Sequence, residues 1–403
     1  MSSLENQIES LMLNNRRMTD GFSYTVPSGS SYPYQWFWDS CFHAIILSHI
    51  DTKAAMAEIQ SLISHQFDNG MMAHVIFWDQ QKEIFNVDWG LKKTSNIIQP
   101  PIIAYATERV YEKCGDRPFL ESVFPALVNY YNFLLEERDL RKVNLIGYVN
   151  PDESGEDNSP RFDNALLLPP QHEVEDNLNK RYALFETHKK CNLDTRCTSE
   201  TFWIEDVPGN VFLIWNLESL SRIATELNDR QLAKKYLSKA KQVAASMRVN
   251  MFENGYFHPL SGLKAVKTTE NTWSRFAPLL TKQYTPAEAK ALVKDELLNR
   301  ERFWLPYGVS TVAQNGPAFS PEEPIWGQAW QHPHWRGPIW MTVHWFLYQG
   351  LKNYGYYDIA NEVREKSLAL VKNEGFREYY HPITGIGMGA NDFTWGAMVI
   401  DMN

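Results

Sequence analysis

Ten segments of this chain repeat apolar residues at three- and four-residue intervals, and this period limits what it can fold into more than any other feature. They are residues 4–14, 36–48, 52–65, 97–112, 119–136, 210–227, 229–251, 286–298, 338–353 and 357–372. Each such stripe must be buried against another helix or a sheet. Strand patterns are few, although Asn254-Gly255 ahead of Tyr256-Phe257 marks the turn of a short hairpin. With no buried strands alternating with the helices, the pattern predicts an all-α fold, a pairwise helical array. Asp51 is placed to cap segment 52–65, and Thr285-Pro286 and Gly337-Pro338 mark the openings of 286–298 and 338–353.

Two long stretches interrupt the period, residues 144–205 and 303–337, both rich in Pro, Asn, Asp, Glu and Trp. Aperiodic stretches of this length are characteristic of functional loops. No Gly/Ser linker and no fixed-period repeat divides the 403 residues, so one domain over 1–403 is expected, with a loop or cap insertion around 144–205. Lys and Arg number 39 against 48 Asp and Glu, a net charge of −9 with no basic block, which argues against a nucleic-acid surface. Apolar runs such as Ala44 to Leu47 are too short to cross a bilayer, and Met1 to Asn6 has no charged and then apolar leader, so no membrane partner and a cytoplasmic location are expected. Cys41, Cys114, Cys191 and Cys197 show no CxxC pairing, and free thiols are expected. Self-association into a homo-oligomer stays open.

Aromatic residues make up 13% of the chain, and many stand beside Asp, Gln, His or Arg, as in a cleft that binds polar rings. Four clusters carry most of this chemistry. Tyr32 to Ser40 surrounds Asp39 with Tyr32, Trp36 and Trp38 at a helix start, where Asp39 reads equally well as an N-cap. Glu153 to Phe162 crowds three carboxylates and Arg161 around Gly155 and Pro160, which no helix interior tolerates. Trp330 to Trp340 contains His334, Trp335 and Arg336, and Phe376 to Gly389 places Glu378 ahead of a glycine-spaced loop.

Glycoside hydrolysis makes the best use of these parts: one carboxylic acid protonates the leaving oxygen while a second carboxylate activates water or attacks the sugar. Trp36, Trp38, Trp335, Trp340, Asp39, Gln99 and Arg336 supply rings and hydrogen bonds for sugar hydroxyls. A metal site built on His332, His334 and His381 is disfavoured, because no H-E-x-x-H occurs and a His-Pro-His spacing aims its rings poorly at one ion. The Gly385 to Gly389 run lacks the strand and the Lys-Ser/Thr of a phosphate loop, and no G-x-S-x-G elbow points to acyl transfer. Neither a metal nor another cofactor is expected.

In this combination and order the motifs resemble the bacterial and archaeal members of glycoside hydrolase family 63, with the related trehalases and the mannosylglycerate and glucosylglycerate hydrolases. The blocks that carry the resemblance are Glu153-Ser154-Gly155-Glu156-Asp157-Asn158-Ser159-Pro160-Arg161, Trp335-Arg336-Gly337-Pro338-Ile339-Trp340, Glu378 to Gly387, the Gln35 to Asp39 aromatic block and Ile98-Gln99-Pro100-Pro101. The resemblance implies an (α/α)6 barrel, with Asp157 as general acid and Glu378 as general base. It further implies inversion at the anomeric carbon, with the carboxyls roughly 6.5–9.5 Å apart. Tyr32, Trp36, Trp38, Asp39, Gln99, Gly155, Arg161, His334, Trp335, Arg336 and Trp340 are the implied substrate-binding residues. Glu153 and Glu156 would oppose ionisation of Asp157, and Arg161 would favour it.

The implied substrate is a small α-glycoside of glucosylglycerate or mannosylglycerate type. The alternatives are an α-glucosidase on disaccharides or oligosaccharides and a catalytically silent sugar-binding barrel. His334 stands where the family commonly has an aromatic residue, within reach of an aglycone. A glycerate aglycone would want a cation, for which Arg181 and Arg196 are candidates, although either alone reads first as a solvated surface arginine.

Overall fold

A computed structural model describes residues 3–78, 89, 91, 93–192, 194–269, 271–322 and 334–403. The Trp330 to Pro333 part of the third aromatic cluster, His332 included, lies outside the described residues. Twelve α-helices occur among those described: α1 Leu4–Asn14, α2 Phe37–Ser48, α3 Thr52–Ile63, α4 Ile103–Cys114, α5 Arg117–Glu137, α6 Val174–Cys191, α7 Thr195–Ser199, α8 Val207–Glu226, α9 Arg230–Asn250, α10 Pro286–Ala291, α11 Met341–Asn353 and α12 Tyr357–Glu374.

Six helical segments close a ring: α2 packs on α4, α4 on α8, α8 on the 3-10 segment Ala277–Thr281, that segment on α11, α11 on the 3-10 segment Thr394–Asp401, and this last on α2 again. Outside the ring, α3 lies on α2, α5 on α4, α9 on α8, α12 on α11 and α1 on Thr394–Asp401. The architecture is an (α/α)6 barrel. Burial explains which helices go where. Every residue of α2 is buried, as a helix walled in on all sides requires, whereas α9 buries only the stripe Ala233, Tyr236, Ala240, Val243 and Met247. The main apolar core runs from Ile8 to Met402, and a small second cluster joins Trp89, Ile97 and Phe185. No helix among the described residues is long and apolar enough to cross a membrane.

Local signals act as the sequence suggests at several ends. Asp51 Oδ1 accepts the Ala54 N–H at 3.0 Å, Thr285 and Glu288 form a reciprocal capping box, and Phe252–Glu253 pairs with Tyr256–Phe257 across Asn254-Gly255.

Four expectations are corrected. Segment 97–112 becomes helical only at Ile103, because Pro100 and Pro101 restrict the residues before them and donate no N–H. Segment 338–353 becomes helical only at Met341, because Ile339 is extended and exchanges backbone hydrogen bonds with Tyr380 at 2.8 and 3.0 Å. Residues 144–205 are not aperiodic throughout, since they hold α6 and α7. Cys191 and Cys197 are not free thiols: they form a disulfide joining the end of α6 to α7, while Cys41 and Cys114 remain free.

Candidate active site

The loop carrying Asp157 is built from its backbone outward. Pro151–Ser154 forms a 3-10 turn whose cap residue Asn150 accepts the Asp152 N–H on its side-chain oxygen at 2.9 Å. Gly155 ends the turn at φ +67°, and a Cβ there would stand 2.4 Å from the Trp38 ring, so only glycine fits. Asp157 then emerges with its side chain 41% exposed.

Buried ion pairs hold this loop from beneath. Glu153 accepts hydrogen bonds from both terminal guanidinium nitrogens of Arg138 at 2.7 and 2.8 Å and from the N–H groups of Val149 and Ile98 at 2.8 and 3.1 Å. Glu156 accepts Arg161 Nη1 at 2.6 Å and Trp273 Nε1 at 3.1 Å, and Arg161 also meets Asp206 at 3.1 Å. Arg336 forks onto Asp163 at 3.1 and 2.9 Å and donates to the Asn158 carbonyl at 3.2 Å. Removing one member of such a pair leaves an uncompensated buried charge, at a cost of about 3–5 kcal/mol.

This geometry reassigns four residues. Arg161 and Arg336 are not among the residues lining the pocket; they fix the loop that carries Asp157 from below. Glu153 and Glu156 are spent on their own arginines. The cation that does reach Asp157 is Arg181 of α6, whose Nη2 lies 3.4 Å from Asp157 Oδ1 and also pairs with Asp152 Oδ1.

Glu378 sits in the ribbon formed by Arg377–Tyr380 and Gly387–Asn391, which the Ile339–Tyr380 bonds tie to the start of α11. Its Oε1 accepts the Tyr32 hydroxyl at 2.7 Å and its Oε2 accepts the Ala390 N–H at 2.8 Å. Gly389, at φ +65°, allows this approach, because a Cβ there would lie 2.6 Å from Glu378 Oε2. Burial, and next the Glu378 charge, push the Tyr32 hydroxyl well above its ordinary pKa, so it stays a donor to the carboxylate.

Asp157 and Glu378 line one pocket together with Tyr32, Trp36, Trp38, Asp39, Gln99, Gly155, His334, Trp335 and Trp340. Asp39 lies in the first turn of α2, but its Oδ1 accepts Trp395 Nε1 at 2.7 Å, so the N-cap reading is replaced by a place in the pocket wall. Gln99 accepts the Trp38 N–H at 3.0 Å, and Trp335 and Trp340 stack with centroids 4.3 Å apart. His334 lines the pocket at φ +46°, its carbonyl accepting Trp340 Nε1 at 3.0 Å.

Of the two arginines proposed for a carboxylate, Arg181 is in the pocket and Arg196 is exposed on α7. Sequence reasoning missed His74, Asp152, Tyr182, Phe185 and Trp395, all of which line the pocket. A signal existed for the α6 face: Leu178, Tyr182 and Phe185 follow the four- and three-residue spacing of one helical stripe within a polar segment.

Burial raises the Asp39 carboxyl from its ordinary value to about 7, partly opposed by His43. Because the folded state holds this proton more tightly than the unfolded chain does, Asp39 removes stability as pH rises between about 4 and 7. Asp39→Asn should abolish its share of that loss, up to about 4 kcal/mol. Urea unfolding of both forms at pH 4.5 and 7.5 measures it, and an unchanged pH slope would refute it.

Similarity to known proteins agrees with this arrangement. Residues 32–396 match the family described as the mannosylglycerate hydrolase MGH1-like glycoside hydrolase domain. The chain is 29% identical over 407 residues to a mannosylglycerate hydrolase of Thermus thermophilus, covering 93% of this chain and 95% of that protein. It is 26% identical over 433 residues to the glucosylglycerate hydrolase of Mycolicibacterium hassiacum, covering 95% of this chain and 94% of that one. The crystal structure of a family 63 mannosylglycerate hydrolase from Thermus thermophilus, in complex with Tris and D-glycerate, superposes with a TM-score of 0.86 at 27% identity and covers 99% of both chains.

Proposed function

The chain belongs to the mannosylglycerate hydrolase MGH1-like glycoside hydrolase family, and on that premise we propose that it hydrolyses an α-glycoside of glycerate, glucosyl or mannosyl, with inversion. One observation carries the proposal: an open carboxyl, Asp157, and a carboxylate that accepts the Tyr32 hydroxyl and the Ala390 N–H, Glu378, line the same tryptophan-walled pocket, with a guanidinium beside the first.

In the proposed reaction Asp157 gives its proton to the glycosidic oxygen as the bond to the anomeric carbon breaks, and glycerate leaves with its hydroxyl restored. Water bonds to the anomeric carbon from the other face and its proton passes to Glu378. Tyr32 and Ala390 orient Glu378 so that its proton-accepting oxygen is defined. Asp39, Gln99 and the tryptophans hold the sugar, and Arg181 faces the aglycone carboxylate. A guanidinium fork on a carboxylate is worth more than a neutral hydrogen bond, which favours an anionic aglycone over an uncharged disaccharide. Residues 1–403 act as one catalytic domain in this reading. A cytoplasmic location belongs to it as well, and there the Cys191–Cys197 bond would face a reducing milieu.

Proton NMR of the products from glucosylglycerate and mannosylglycerate tests the proposal. One of the two should be turned over, with the β-anomer of the sugar appearing before mutarotation. Release of the α-anomer first would reject inversion, and turnover of neither compound would reject the substrate class.

A further inference from the structure

Arg181 has two carboxylate partners of unequal character. Asp152 is buried, with its side chain 8% exposed, whereas Asp157 is 41% exposed and open to the pocket. Burial raises the Asp152 carboxyl to about 6, with Arg181 the largest opposing influence, so this partner depends on the guanidinium for its charge. The open partner is the one an incoming anion can displace.

A general acid must carry a proton to deliver, and a guanidinium beside a carboxylate favours the form that has none. The other groups around Asp157 include His74, Tyr32 and Asp152. Burial lowers His74 to about 3, leaving it neutral, and the Tyr32 hydroxyl is committed to Glu378. Asp152 is already engaged, and Arg181 is the one arginine or lysine among the described residues lining the pocket.

Resting on the glycerate reading above, we propose that Arg181 is a substrate-operated switch: the aglycone carboxylate takes it from Asp157 while Asp152 keeps hold of it, and only then is Asp157 free to carry its proton. The chemistry of glycerate suits the exchange. Whichever hydroxyl is glycosylated, the carboxylate lies one or two carbons from the glycosidic oxygen, so it arrives where Arg181 meets the acid. Arg181 is a positioning and specificity residue in this scheme, and Asp152 is its anchor. The proton still travels from Asp157 to the glycosidic oxygen, and that of water to Glu378.

The test compares the glycosylglycerate with the corresponding glycosylglycerol, an uncharged isostere, over a pH series. Rates of each enzyme form are divided by its rate on the α-glycosyl fluoride, whose departure needs no proton donor, so any loss of folded enzyme cancels. The wild type should turn over the glycerol compound about 100-fold more slowly, with its kcat falling off at lower pH than for the glycerate compound. Arg181→Gln should raise KM for the glycerate compound. It should also raise kcat for the glycerol compound about 10-fold and move its alkaline limb upward. Asp152→Asn should lower kcat on the glycerate compound, with the double variant returning to the Arg181→Gln rate.

If Arg181→Gln, or Arg181→Met should the first be unstable, leaves the glycerol rate unchanged or reduced, Arg181 only binds the aglycone. The switch is then refuted while the glycerate reading stands. If the wild type handles the two compounds alike, the glycerate reading falls and takes the switch with it.

Discussion

Glu378→Gln should lower turnover of the glycosylglycerate by about three orders of magnitude while leaving the fold and sugar binding in place. The amide is the same size as the carboxylate. Its oxygen can accept the Ala390 N–H, and its NH2 can donate to the Tyr32 hydroxyl, so the Ala390 and Tyr32 contacts survive, the second reversed. What is lost is the capacity to take a proton from water. Circular dichroism and calorimetry with the free monosaccharide would show the variant folded and able to bind. A purified Glu378→Gln enzyme within tenfold of the wild-type kcat would remove Glu378 from the role of base.

Asp157→Asn should lower turnover by about 10²–10⁴-fold, but by an amount that depends on the leaving group. Glycerate leaves as an alkoxide unless it is protonated, so the full loss is expected on the glycosylglycerate. Fluoride needs no proton, so the glycosyl fluoride should lose far less. The side chain is open to the pocket and its ion pair with Arg181 is a contact at 3.4 Å, so little of the deficit should come from unfolding. Equal losses on the two substrates would contradict the assignment of acid and point to a binding role for Asp157.

Two arginines show how far a motif reaches. Arg161 and Arg336 stand beside Asp157 and Trp335 in sequence, which suggests direct contact with a sugar. In the folded chain each points instead at a buried carboxylate, Arg161 at Glu156 and Asp206, Arg336 at Asp163. Nothing local tells which of several carboxylates a long side chain will meet, because Asp206 comes from a distant segment. The opposite happened with Arg181. In sequence it is one of two candidates that read first as surface arginines, and the docking of α6 over the pocket makes it the neighbour of Asp157.

Gly155 and Gly389 illustrate the intermediate case. Gly155 ends a 3-10 turn and Gly389 lies at an irregularity of the ribbon, and glycine itself marks such positions. The close approach of Trp38 to one and of Glu378 to the other is not marked in this way.

The helical array was in the sequence because a 3.6-residue period is a property of one segment at a time, and burying ten such stripes leaves few alternatives to a layered helical fold. The nomination of Asp157 and Glu378 came from the resemblance of the chain's motifs, in their order, to glycoside hydrolase family 63. Closure of the ring was not readable from the helical period, because two of its six inner segments, Ala277–Thr281 and Thr394–Asp401, are 3-10 turns too short or too uniformly apolar to show a period. Nor were the partners of the acid. Which charge faces which is a matter of distance between segments far apart in the chain, and ionic interactions weaken with that distance and with exposure, so only the packed structure places Arg181 between Asp152 and Asp157.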